Sequence, residues 1–85
     1  MRNTIYVGGV PFSMTSDELR ALFTELGVVQ SAVLVTDSGT GYSRGYGFVV
    51  MASAQAAAAA VKKLHRHELE GRRIIVQLAA SPPGA

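Results

Sequence analysis

The sequence contains no cysteine among its 85 residues. It therefore has no disulfides, no thiolate zinc site and no cysteine nucleophile, and its stability must come from packing its apolar residues, 48% of the chain. No apolar run approaches the roughly 18 residues of a membrane span, and no apolar signal-peptide segment follows Met1. These absences favour an untargeted cytoplasmic domain that does not associate with a membrane.

An excess of charge of one sign is also missing. Eight Lys and Arg against six Asp and Glu give a net charge of +2, which is too small to indicate a polyanionic partner by itself. The length suits one small domain with a single core. We expect a monomeric domain over residues 1–80 and a frayed tail over residues 81–85, where Pro82, Pro83 and Gly84 are concentrated.

Hydrophobic periodicity predicts four strands and two helices. Thr15 and Glu18 form a capping box at the start of the first helix, and Gly27 provides a stop at its end. Ser53 provides the N-cap of the second helix. The predicted strands are Thr4 to Gly8, Val28 to Thr36, Arg44 to Met51 and Arg73 to Leu78. The predicted helices are Ser16 to Leu26 and a second helix that follows the Ser53 cap and ends at Leu64.

The predicted order of elements is β-α-β-β-α-β, which indicates an α+β fold of the ferredoxin-like sandwich type. Each helix has one apolar stripe, so two helices can cover only one face of a four-stranded antiparallel sheet. Right-handed crossovers then place the first and third strands side by side in the middle. The other face of the sheet is expected to stay open.

The position of three aromatic residues decides what that open face contains. Aromatic residues usually belong in a core, and Phe48 taken alone favours that interpretation. Alternation along the strands indicates the opposite: Tyr6 lies on the side away from Ile5 and Val7, and Tyr46 and Phe48 share a side with Arg44. The same alternation predicts that Gly45 and Gly47 face the helices, where they allow close packing with Ala57 and Ala60.

Exposed rings on an open sheet are typical of a recognition surface, because unpaired bases have flat faces that stack on aromatic side chains. Each stacked base contributes roughly 1 to 3 kcal/mol. Arg44, in the same row as two of the rings, is placed to contact a phosphate.

Two segments resemble the signature motifs of the RNA recognition motif family. Arg44 to Met51 matches the family octamer at seven of eight positions, with Met51 replacing an aromatic residue, and Ile5 to Val10 is similar to the companion hexamer. The resemblance implies that Tyr6 and Tyr46 stack bases and that Phe48 packs on a base or between riboses. It further implies that Arg44 contacts the backbone and that Gln77 and Arg73 reach base edges or phosphates.

The resemblance thus implies a protein that binds short single-stranded RNA and acts in post-transcriptional regulation, with single-stranded DNA as a second possible ligand. An alternative comes from Val33, Val35 and Ile75, which make the edges of the expected open face unusually apolar. Those residues are also consistent with a protein-interaction module that uses the sheet or a helix face.

The remaining candidate sites do not indicate catalysis. Gly39-Thr40-Gly41 and Gly45-Tyr46-Gly47 lack the third glycine of a dinucleotide loop and lead toward strands instead of helices. His65 and His67 have only Glu68 and Glu70 nearby, a poor set for a structural zinc site. We therefore expect no catalytic residue, no metal ligand and no cofactor.

Overall fold

The computed structural model describes residues 3–79, so the predicted tail at residues 81–85 lies outside the described part of the chain. Two helices and six strands are formed within these residues. In chain order they are β1 (Thr4–Gly8), α1 (Ser16–Thr24), β2 (Val29–Thr36), β3 (Ser43–Met51), α2 (Ala54–Leu64), β4 (Glu68–Leu69), β5 (Arg72–Arg73) and β6 (Ile75–Leu78).

Four of the strands form one antiparallel sheet in the order β2-β3-β1-β6, which confirms the predicted fold class. Strands β1 and β3 occupy the middle, as the handedness of the crossovers predicts. The short strands β4 and β5 pair only with each other and form a hairpin between α2 and β6.

The core lies between the helices and one face of the sheet. Ile5 and Val7 of β1 and Val49 and Met51 of β3 are fully buried there, so Met51 serves packing. The helices contribute an apolar stripe to the same cluster, namely Leu19, Phe23, Ala57, Ala60 and Leu64. No helix in the described residues is both long and apolar enough to cross a membrane.

The helix starts follow the sequence signals, whereas the end of α1 differs. The Thr15 hydroxyl accepts a hydrogen bond from the Glu18 backbone N–H, and the Glu18 carboxylate accepts one from the Thr15 N–H, which completes the capping box. Helix α1 ends at Thr24, two residues before the predicted Leu26, because the Leu26 N–H donates to the carbonyl of Phe23 in a tighter turn.

The last strand of the sheet is shorter than the sequence predicts and excludes Arg73. The Ile74 N–H donates to the His67 carbonyl, and the Ile74 carbonyl accepts from the Arg66 N–H. Residues 72–74 therefore pair with the segment after α2, and the pairing of the last strand with β1 ends at Ile75 and Gly8. The prediction that Arg73 is in the fourth main strand is wrong; Arg73 lies in the hairpin.

The nearest neighbours of the two glycines of β3 belong to β2 and to the β1–α1 loop. A Cβ added to Gly47 would collide with the backbone of the neighbouring strand at the Val33 carbonyl, and it would lie 3.0 Å from a methyl carbon of Leu34. Gly45 has φ +82°, a conformation that favours glycine, and an added Cβ would lie 3.1 Å from the Phe12 ring. The atoms closest to these glycines therefore come from β2, Val10 and Phe12, where the sequence predicted Ala57 and Ala60.

Candidate nucleic-acid interface

The uncovered face of the sheet carries a row of four side chains that crosses all four strands. Strand pairing places Val33 opposite Phe48, Phe48 opposite Tyr6, and Tyr6 opposite Gln77. Cross-strand partners project to the same face, and the buried Ile5 and Val49 of the same strands project to the other. The row therefore lies on the side that the helices leave open.

Three aromatic rings form a compact cluster on this face. The centroid of the Tyr6 ring lies 6.0 Å from that of Tyr46 and 5.9 Å from that of Phe48, and the Tyr46 and Phe48 centroids are 6.4 Å apart. The Tyr6 and Phe48 rings meet edge to face at 67°, a favourable arrangement for aromatic pairs. All three rings stay partly exposed, so a flat ligand can reach them. We call these three side chains the aromatic platform.

Gly8 gives the Tyr6 ring the space it occupies on the platform. Gly8 is two residues after Tyr6 on the same side of β1 and pairs with Tyr46. A Cβ added to Gly8 would lie 2.7 Å from the Tyr6 hydroxyl oxygen and 3.0 Å from a carbon of its ring. The Tyr6 side chain therefore lies along the strand over Gly8, which brings its ring beside Tyr46.

Replacing Gly8 with alanine is expected to displace the Tyr6 ring and to weaken binding to single-stranded RNA by about fivefold, roughly 1 kcal/mol. The backbone at Gly8 lies outside the left-handed region, so the melting temperature should not fall. Fluorescence anisotropy with a labelled oligoribonucleotide measures the affinity. In a Tyr6→Ala background, Gly8→Ala should have no further effect; an equal loss there would show that Gly8 acts independently of Tyr6.

Arg44 is held by an acidic residue of the β2–β3 loop. Its guanidinium lies 3.3 Å from the Asp37 carboxylate, and both side chains are exposed, by 55% and 41% respectively. Asp37 also accepts hydrogen bonds from the backbone N–H groups of Gly39 and Thr40. The backbone donors Thr40 and Gly39, followed by the Arg44 guanidinium, hold the pKa of Asp37 below its usual value of 3.8. The stabilisation that the ionised carboxylate gives the loop is therefore present above pH 3.8, and it is lost as the pH falls through the lowered pKa.

The phosphate contact that the family resemblance implies for Arg44 would require its guanidinium to leave Asp37, so Asp37→Asn is expected to increase the affinity for RNA at low salt by about two- to fivefold. Asparagine keeps the side-chain oxygen that accepts from Gly39 and Thr40, and the loop should retain its shape. The gain should disappear at high salt, because exposed charges are then screened. Affinities measured at two salt concentrations test this; unchanged or weaker binding at low salt would contradict competition at Arg44.

Of the other predicted site residues, one lies on the open face of the sheet and one lies outside the sheet. Gln77 is exposed in the same row as Tyr6 and Phe48, whereas Arg73 is exposed in the hairpin, beyond the end of β1. Of the three apolar residues predicted at the edges of this face, Val33 is 48% exposed and Val35 and Ile75 are partly buried. The platform therefore has an apolar edge on β2 and a polar neighbour on β6.

The two histidines do not form a metal site within the described residues. No group of three His, Cys, Asp or Glu side chains in residues 3–79 is placed to hold a metal ion. The His65 Nδ1 accepts a hydrogen bond from the Val76 N–H at 3.3 Å, so this side chain links the end of α2 to β6.

Sequence reasoning does not identify Phe12, which is 66% exposed. It lies at the same end of the molecule as the β2–β3 loop and the β4–β5 hairpin. The Arg72 guanidinium carbon lies 5.4 Å from the centroid of the Phe12 ring. The sequence signal that could have identified Phe12 is its position directly after the loop residues Gly8-Gly9-Val10-Pro11, where periodicity predicts no core position for an aromatic side chain.

The chain is similar to known RNA-binding proteins. A family model described as the RNA recognition motif matches residues 5–75. Glycine-rich RNA-binding protein 1 of Mycosarcoma maydis is 40% identical over 83 residues, which cover 98% of this chain and 47% of that protein. The chain spans between 16% and 47% of the length of this and two further curated relatives.

Two solved structures are similar over nearly the whole chain. The crystal structure of RNA binding protein PG1 has a TM-score of 0.90 at 39% identity, and the match covers 94% of this chain and 96% of that one. A Sxl-lethal protein/RNA complex has a TM-score of 0.91 at 31% identity, over 99% of this chain and 50% of that one.

Proposed function

The chain belongs to the RNA recognition motif family, and on this premise we propose that it binds short single-stranded RNA on the open face of its sheet. The observation that carries the proposal is the aromatic platform: three partly exposed rings with centroids 5.9 to 6.4 Å apart on the face without helices. A folded core does not need these rings, because the other face buries the apolar residues of the same strands. Bases without a pairing partner are the flat ligands that suit such a surface.

We propose a role for each residue of the interface, taken from the family resemblance and supported by its place on the sheet. Tyr6 and Tyr46 stack bases, and Phe48 packs against a base or between riboses. Gln77, in the row of Tyr6 and Phe48, hydrogen-bonds a base edge. Arg44 exchanges Asp37 for a phosphate when RNA binds. Two or three stacked bases at roughly 1 to 3 kcal/mol each are sufficient for weak to moderate affinity after ordering costs are subtracted.

Arg73 has a different role from Gln77. Its place in the hairpin beyond the end of β1 puts it outside the rows of the sheet. We propose that it contacts the RNA backbone electrostatically, since its charge needs no defined register to attract a phosphate.

The proposal extends to the way in which the chain works in the cell. We propose a monomeric, non-enzymatic RNA-binding module that acts on transcripts after transcription and is located in the cytoplasm. Single-stranded DNA is a second ligand in this proposal, since stacking and phosphate contacts do not require a 2′-hydroxyl.

Titration of a labelled mixed-sequence oligoribonucleotide with the purified chain tests the function. Binding should be saturable, and the logarithm of the association constant should fall with the logarithm of the salt concentration by about 0.7 per phosphate neutralised. A matched DNA oligonucleotide compares the two ligands. Absence of saturable binding, or a protein partner retained after the platform rings are removed, would instead favour an interaction module that uses the apolar edge at Val33 or a helix face.

A further inference from the structure

Three loops of the chain meet at one end of the sheet. The Val10 N–H donates to the Gly45 carbonyl at 2.9 Å, which holds the β1–α1 loop beside the start of β3. The β2–β3 loop is closed at the same end by a bond from the Asp37 N–H to the Tyr42 carbonyl at 2.8 Å. The hairpin reaches this end through the Arg73 carbonyl, which packs against Gly9.

Each of the three loops contributes one side chain to a small surface that is separate from the aromatic platform. Phe12 and Tyr42, which are 66% and 76% exposed, line a cleft of about 320 Å³ together with Ser43. Arg72 of the hairpin places its guanidinium 5.4 Å from the centroid of the Phe12 ring. We call Phe12, Tyr42 and Arg72 the loop cluster.

The packing of the domain does not account for this cluster. The core cluster and its partly buried neighbours include neither Phe12 nor Tyr42. Leaving two large rings exposed forgoes the free energy that their burial would contribute to folding. The absence of a side chain at Gly45 leaves space for the Phe12 ring, since an added Cβ would lie 3.1 Å from it. The local backbone thus accommodates a ring that stays accessible.

The charge of the cluster favours a phosphate-bearing ligand. In residues 3–79 Arg72 forms no salt bridge, so its guanidinium is available to an anion. The carboxylate of Glu70 in the same hairpin accepts a hydrogen bond from the Ser13 hydroxyl at 3.2 Å. An arginine held over an aromatic ring provides a stacking face and a phosphate contact in one place.

The cluster is continuous with the aromatic platform along β3. Tyr42 lies four residues before Tyr46, which limits the separation of their Cα atoms to about 13 Å. Arg44 lies between them and is exposed. A nucleic-acid strand leaving Tyr46 toward the start of β3 therefore passes Arg44 and reaches the cleft.

We propose that the loop cluster is an additional nucleotide subsite, which binds a further base and phosphate of the same RNA strand that occupies the platform. The base stacks on Phe12 or Tyr42 in the cleft, and Arg72 contacts the adjoining phosphate. This subsite rests on the proposed function, because the platform supplies the strand that it extends.

The test uses two labelled mixed-sequence oligoribonucleotides, one of about four nucleotides and one of about eight, within the range of sites on comparable single-strand binders. The whole chain should bind the longer RNA more tightly. Phe12→Ala should weaken binding of the longer RNA by about five- to thirtyfold and leave the shorter one unchanged, since one stacked base is lost. Phe12→Leu, which keeps apolar bulk without a flat ring, should lose nearly as much, and melting temperatures should match the wild type.

Other outcomes overturn the subsite. If Phe12→Ala leaves both affinities unchanged while Tyr46→Ala reduces both, RNA binding stands but the loop cluster is not part of it, and a protein partner becomes the candidate occupant. Equal losses for both lengths would make Phe12 part of the platform footprint, and full affinity of Phe12→Leu would exclude stacking. If the wild-type chain binds neither RNA, the proposed function fails together with its extension.

Discussion

Replacing Val49 with aspartate is expected to unfold the protein. Val49 is fully buried on the helix side of β3, where it pairs with Ile5 and Ala32. An aspartate there places a carboxylate without a partner in the apolar core, at a cost of several kcal/mol even if it becomes protonated. A single small core rarely supplies more than about 3 to 5 kcal/mol of net stability. The cost of the buried aspartate is therefore comparable to the entire free energy of unfolding.

Circular dichroism during thermal unfolding measures the effect, and the neighbouring residue provides the control. Val50 follows Val49 on the same strand, pairs with Thr4 and projects to the opposite face, where it is only partly buried. Val50→Asp should therefore stay folded with a reduced melting temperature. Equal destabilisation by the two substitutions would contradict the assignment of the two faces.

Removing the rings of the platform is expected to give the largest change in RNA binding. Tyr46→Ala or Phe48→Ala should each reduce affinity by roughly 1 to 3 kcal/mol, or about five- to 150-fold, because each ring provides one stacking surface. Substituting Tyr6 together with these two should remove measurable binding. The fold should persist, since the rings contact one another on the open face and the core cluster does not include them.

The matched control for this experiment is Tyr46→Phe, which keeps the flat ring and removes only the hydroxyl. Its affinity should remain close to that of the wild type if stacking dominates. Anisotropy titrations at one fixed salt concentration compare the variants, and circular dichroism checks their folding. Wild-type affinity in Tyr46→Ala and Phe48→Ala would place the binding site elsewhere on the molecule.

The local signals of the sequence were sufficient for most of the fold. Alternation in β1 separated Tyr6 from Ile5 and Val7, and the structure places them on opposite faces of the sheet. The capping box at Thr15 and Glu18 also formed where the sequence predicted it. Such signals depend on neighbouring residues only, so they can be read without knowing which segments meet.

The sequence did not predict which distant segment would pair with or pack against a given stretch of backbone. Arg73 continues the alternation of the last strand, but the hydrogen bonds of Ile74 go to His67 and Arg66 instead of to β1. The β3 glycines were expected to face helix residues, and the backbone of β2 fills the space at Gly47. Alternation gives the face of a residue but not the segment that packs against it.

Local periodicity and motif spacing were enough to predict the order of the elements, the two faces of the sheet and the residue types of the aromatic platform. The folded chain was needed to show that Asp37 holds Arg44, that Gly8 makes room for the Tyr6 ring, and that Phe12, Tyr42 and Arg72 meet at one end. Those contacts join segments separated along the chain, and their geometry depends on loop conformations and on strand register, neither of which periodicity specifies.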